Sequence, residues 1–163
     1  SKYLNSNRKT DSDPQDNRHL VVYVNTRGTL TVNYPTWIGG TDTASNVWTL
    51  LRQGFNRSNC EAALATNNAV ASKAGNTTGF IGTVRSSSAT ITIRSGGTLQ
   101  DFAQNSGTPT SVDLYVMADN LSNTARFWNN GTISFYSIGE SLDLTKLDGR
   151  VTALMTALGA AIP

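Results

Sequence analysis

The chain has 163 residues, enough for one domain with a real core. Only 15 % of them are charged, and the net charge is +2. The basic cluster Lys2, Arg8, Lys9 and Arg18 is interrupted by Asp11, Asp13 and Asp16. No basic stripe is left to contact many phosphates, so a nucleic-acid partner is not expected. A single cysteine excludes an internal disulfide, and with one histidine it is too few for a transition-metal site. No apolar run has membrane-spanning length, so no membrane insertion is expected.

The chain opens SKYLNSNRKT, without an initiator Met, which reads as a piece of something longer. Residues 1–17 have no apolar period and contain Pro14, and are expected to form a polar arm or the end of a preceding segment. A single domain over 18–163 follows. HLVVYVNT and TLTVNY read as strands, and PTWIGGTD as a turn-rich connection through Gly39 and Gly40. VWTLL places Trp48 in the core. CEAALAT and AVASKA read as a hairpin with Asn67-Asn68 at its tip, a helix over 60–74 being the rival, and Cys60 as a small buried hydrophobe.

TGFIGTVRS and SATITIRS pair as strands, and Gly96-Gly97 turns the chain into TLQDFAQ. In SVDLYVMADN, Val112, Leu114 and Val116 alternate with Asp113, Tyr115 and Met117, a strand with one face in the core. NLSNTARFWNNG reads as a loop around a short strand, with Asn129-Asn130-Gly131 a hairpin turn, and TISFYSIG as the last strand. Closely spaced strands and turns without intervening helices imply an all-β fold, a two-sheet antiparallel sandwich or jelly roll.

The last stretch differs. Leu144, Leu147, Val151, Leu154 and Leu158 follow a helical period, and a helix is expected over 143–161. Asp143 or Thr145 serves as N-cap, and Thr145 with Asp148 approximates a capping box. The stripe either packs on its own domain or forms a short trimer seam. Leu154→Asp is expected to unfold the domain in the first case and to dissociate it in the second.

GFIGTVR, LYVMADN and ISFYSIGESLDLTKLDGRVTALMTALGAAIP resemble concanavalin A-like, laminin-G-like jelly-roll domains of phage and prophage tail proteins. The resemblance implies a β-sandwich ending in a capped helix. It also implies a place at the distal tip of a tail fibre on the virion, often as a homotrimer, binding the host surface.

Catalysis is poorly supported by the residues. The only glutamates, Glu61 and Glu140, lie far apart in sequence, where glycoside hydrolysis needs two facing carboxylates. His19 stands beside an apolar run with no nucleophile elbow, and neither a catalytic residue nor a cofactor is expected. Asp11, Asp13 and Asp16 could gather around calcium but lack the rest of an EF-hand, and read as a solvated acidic turn.

Abundant Asn, Ser, Thr and Gly suit hydrogen bonding to sugars. Two places combine aromatic rings with amides and charges: Asn120, Asn123, Arg126, Trp128, Asn129 and Asn130 in one loop, and Trp37 with Asp42 in the other. For Trp128, packing inward is the rival reading. The expectation is a non-catalytic domain binding a cell-surface glycan at a fibre or spike tip. The rivals are a trimerising structural cap and a carbohydrate-binding module of a secreted bacterial enzyme.

Overall fold

Alternating side chains build two sheets, and the layer between them is the core. The computed structural model describes residues 2–29, 34–44, 46–55, 58–67 and 69–161. Among these residues one sheet has the order β1 (Leu4–Lys9), β10 (Asp113–Val116), β3 (Thr36–Thr41), β4 (Val47–Gln53), β5 (Asn59–Asn67) and β6 (Ala71–Ala74). A small hairpin, β11 (Asp119–Leu121) and β12 (Thr124–Arg126), joins it where β11 runs parallel to β3. The second sheet has the order β13 (Thr132–Gly139), β2 (Arg18–Thr26), β7 (Gly79–Arg85), β8 (Thr90–Ser95) and β9 (Thr98–Ala103), all antiparallel. The fold is the expected all-β sandwich with one C-terminal helix, α1 (Leu144–Ala161).

Leu20, Val22, Val24, Ile81, Ile91 and Ile93 from one sheet meet Ile38, Leu51, Leu64 and Leu114 from the other. The opposite side of β2 is apolar too. Val21 and Tyr23 face α1 with Phe80 and Val84, which is why LVVYV reads as a continuous run rather than an alternation. Gly82 lies under the first turn of the helix. A Cβ there would stand 2.8 Å from Val21 Cγ2 and 3.0 Å from Leu144 Cδ2, so only glycine lets the helix settle.

The N-cap is Asp143, whose Oδ1 accepts from the amides of Thr145 (2.9 Å) and Lys146 (3.1 Å). The expected Thr145–Asp148 box does not form, because Asp148 pairs with Arg94 of β8 at 2.7 Å and ties the helix to the sheet. Leu144 and Val151 are buried, and Leu147 and Met155 pack beside them. Leu154 and Leu158 are 48 % and 45 % exposed. The stripe therefore divides: its first half packs on its own sheet and its second half stays open.

Two expectations are corrected here. Residues 1–17 are not simply a polar arm, since β1 pairs with β10 along the sheet edge and the Ser6 hydroxyl donates to Leu114 O at 2.7 Å. An edge strand buries little, so it leaves no apolar period. The turn after it is gathered by buried Arg18, which donates to the carbonyls of Thr10, Asp13 and Pro14. PTWIGGTD is not a turn either but β3, buried along its whole length. Glycines that signal turns in sequence serve close approach here: a Cβ on Gly39 would meet Asp119 Oδ1 at 2.7 Å. The hairpin of β5 and β6 is as expected, rather than a helix. Residues 30–33 of the TLTVNY reading and Asn68 at the hairpin tip lie outside the described residues.

Candidate functional site

On the outer face of the first sheet, Trp48, Leu50 and Arg52 project from one side of β4, because Thr49 and Leu51 take the other. They form the floor and one flank of a cleft of about 300 Å³, completed by Tyr34, Thr41, Arg126 and Phe127. The β11–β12 hairpin supplies the opposite flank. Its turn residues Ser122 (φ 45°) and Asn123 (φ 73°) both adopt the left-handed conformation of a type I′ turn. Its last residue, Arg126, thereby reaches the cleft. Tyr34 (φ 65°) and Phe127 (φ 50°) also have left-handed backbones, and their rings meet edge-on at 6.4 Å. Such conformations are costly for large side chains and concentrate at functional sites.

The two arginines are held in the same manner. Arg52 Nε donates to Glu61 Oε2 at 2.8 Å while its guanidinium lies over the Tyr34 ring at 4.2 Å. Arg126 Nε donates to Asp119 Oδ2 at 2.9 Å while its guanidinium lies over Phe127 at 4.5 Å. Each plane is fixed by a carboxylate at its edge and a ring on its face. Asp119 is only 1 % exposed and accepts from the Thr41 hydroxyl at 3.1 Å. Burial pushes its carboxyl upward, against the pull of Arg126 and Thr41. The result is two oriented guanidiniums opening on a cleft walled by aromatic and aliphatic carbon.

Of the expected site residues, only Arg126 lines this cleft. Trp37 is fully buried in the core, beside the bulge of β3, and presents no surface to the cleft. Asp42 closes the β3–β4 turn, its Oδ1 accepting from the Ala44 amide at 3.1 Å. Asn120 is buried and donates to Asp113 O at 2.8 Å. Asn129 is buried, and its Oδ1 accepts from the Gly131 amide at 2.9 Å. In this structure all four are engaged by the core or by hydrogen bonds within the fold. Asn129-Asn130-Gly131 is no hairpin turn, since the segment carries the chain from one sheet to the other. Asn130 is exposed and donates to Thr29 Oγ1 at 2.6 Å, and Asn123 is exposed at the hairpin tip. Trp128 is half-buried against Tyr3, outside the cleft.

Trp48 corrects the core assignment, since it is half-buried and lines the cleft. Tyr34, Arg52 and Phe127 were not anticipated. The signal available for Arg52 was its place two residues after Leu50 in a strand whose other face is apolar. In the acidic turn, Asp13 is taken by an ion pair with Arg8. Among the described residues no group of three or more His, Cys, Asp or Glu side chains is placed to hold a metal. His19 is buried, donating from Nδ1 to Glu140 O at 2.6 Å and accepting at Nε2 from Ser137 Oγ at 2.8 Å.

No protein-family model matches the sequence, and no curated protein matches it. Solved structures do resemble it. One is the CBM40 carbohydrate-binding module of the Ruminococcus gnavus IT-sialidase, with TM-score 0.59 and 11 % identity over 83 % of this chain and 82 % of that one. Another is the NanB sialidase of Streptococcus pneumoniae, crystallised with a chlorobenzylammonio-ethanesulfonate. Its TM-score is 0.60 and its identity 13 %, over 87 % of this chain but only 25 % of that enzyme. The chain shares a sandwich fold with these sialidase-associated domains. Neither is a tail protein.

Proposed function

We propose that this domain is a non-catalytic carbohydrate-binding module whose cleft takes a sugar carrying a carboxylate. The observation that carries the reading is the pair of guanidiniums, each clamped by a carboxylate and a ring, facing one apolar-walled cleft. A planar guanidinium matches a carboxylate edge to edge, and the rings of Trp48, Tyr34 and Phe127 offer faces to the C–H side of a pyranose. Sialic acid is the first candidate, because the similar structures come from sialidases. Neither carboxylate by the cleft is suited to acid–base work: Glu61 is bound by Arg52, and Asp119 is buried beneath Arg126. Attachment to a secreted enzyme is therefore the favoured setting, ahead of the fibre tip.

A glycan array tests this directly. Sialylated glycans should be retained and their neutral, desialylated counterparts lost, with the Arg126→Ala variant silent on both. Equal retention of neutral and acidic glycans would refute the carboxylate reading. A second reading, assembly of copies at a fibre tip, draws support from the exposed Leu154 and Leu158 on α1. Light scattering during size exclusion tests it, and a monomer at high concentration would dismiss it.

A further inference from the structure

Beyond the cleft, the same face carries a second aromatic assembly. Tyr3 stacks on Tyr115 with ring centroids 4.5 Å apart and meets Trp128 at 5.3 Å. Tyr115 is buried beneath, whereas Tyr3 keeps 44 % of its surface exposed and Trp128 is half-buried. A stacked support of this kind holds the upper rings in place, so a ligand would lose little of its binding to ordering them. Next to the rings, Asn5 Nδ2 donates to Asp113 Oδ2 at 3.0 Å; Asn5 lies on β1 two residues after Tyr3, and Asp113 lies on β10 with Tyr115. The group thus combines ring faces, phenol hydroxyls, an amide and a carboxylate, with no cation in it.

The assembly is continuous with the cleft through consecutive residues. Arg126 and Phe127 line the cleft, and Trp128 follows them into the aromatic group. The left-handed backbone at Phe127 (φ 50°) is what sends the two neighbouring rings to different places. Tyr115 pairs with Gly39 of β3, and Gly39 pairs with Leu50 of the cleft floor, so the two places lie two strand spacings, about 10 Å, apart on the sheet, on the scale of two linked sugars.

We infer that Tyr3, Tyr115 and Trp128 form a second subsite, one that stacks a neutral pyranose adjoining the acidic sugar in the cleft. The inference rests on the cleft reading above. Together the two places would select an acidic sugar in its glycosidic context: guanidiniums recognise the charged residue, and the aromatic platform accepts the uncharged one to which it is linked. This assigns Trp128 a ligand-facing role through a different partner set from the amides around it, which hold the loop.

Isothermal titration with two kinds of probe separates the places. Methyl α-sialoside occupies the cleft alone, while 3′- and 6′-sialyllactose add neutral sugars in two linkages. The wild type should bind at least one trisaccharide about tenfold more tightly than the monosaccharide, and Tyr3→Ala or Trp128→Ala should bring that ratio close to one. Tyr3→Phe, which keeps the ring, should preserve it and guards against simple loss of β1. If methyl α-sialoside binds and neither trisaccharide binds better, the second subsite is refuted and the cleft reading stands. The subsite is also refuted if the ratio survives both alanine variants. If no probe binds the wild type, the cleft reading and the inference built on it both fall.

Discussion

On the outer face of one sheet, Val21, Tyr23, Phe80, Val84 and Phe135 lie against α1. The outer face of the other leaves Trp48, Arg52, Arg126 and Phe127 around an open cleft. A sandwich has two outward faces, and the contrast between these two separates what stabilises this domain from what it presents to a partner. The covered face is apolar and capped by a helix that would be marginal alone at 18 residues with two glycines. The open face keeps its arginines because each is already paired with a carboxylate and a ring. Polar groups on the first face and apolar truncations on the second should therefore act on different observables.

The largest effect is expected beneath the helix. Val151→Asp places an unpaired charge against Val21 and Phe80, and urea unfolding should register a loss of about 3–5 kcal/mol with the cleft residues untouched. On the open face, Arg52→Ala would remove the charge-assisted contact proposed for the acidic sugar, and sialoside affinity should fall roughly 10- to 100-fold by titration. Arg52→Lys should recover little of it, because an ammonium lacks the planar fork.

Smaller effects sharpen the same division. Asp143→Ala removes the helix cap, and amide exchange should quicken at Thr145 and Lys146 without change in sugar affinity. His19, buried between Glu140 O and Ser137 Oγ, has its pKa lowered from 6.5 chiefly by desolvation. A base with a depressed folded value lends stability that is present above 6.5 and lost as pH falls through the folded value. Thermal midpoints should therefore decline as pH falls from 6.5 through the folded value and level off below it, and His19→Gln should flatten the decline. The smallest effect belongs to Leu154→Asp, within about 0.5 kcal/mol, because that side chain is half exposed rather than in the core.

Most of the sandwich was legible in the sequence, and the reasons are local. The alternation in TITIRS and the turn at Gly96-Gly97 (φ 58° and 75°) specify the β8–β9 hairpin without tertiary help. The N-cap residue and the apolar period mark α1 equally well. What failed were elements whose signal depends on neighbours. β3 looks like a turn because Gly39 and Gly40 are small for the sake of the strands and side chains beside them. β1 looks like an arm because an edge strand has one partner and little to bury.

The site was less legible than the fold. Arg126 was visible in its Asn- and Trp-rich loop, yet the amides around it hold backbone: Asn120 reaches Asp113 O, and Asn129 reaches the Gly131 amide. Composition cannot separate an amide that contacts a ligand from one that closes a turn. Trp48 and Arg52 share β4, but Tyr34, Thr41, Arg126 and Phe127 come from other stretches that only the pairing of β3 with β4 and the hairpin beside them bring together. Trp37 and Trp48 illustrate the problem. Each sits in a short apolar stretch, yet the first, beside a bulge in β3, is buried and the second lines the cleft.

The central claim is that the cleft binds an acidic sugar through Arg52 and Arg126. Titrating methyl α-sialoside and uncharged methyl β-galactoside into the wild type and an Arg52→Ala/Arg126→Ala double variant at pH 7 tests it most directly. The account predicts heat of binding only for the sialoside and only with the wild type, while both proteins keep the same β-rich circular dichroism. Sialoside binding that persists in the folded double variant would contradict it.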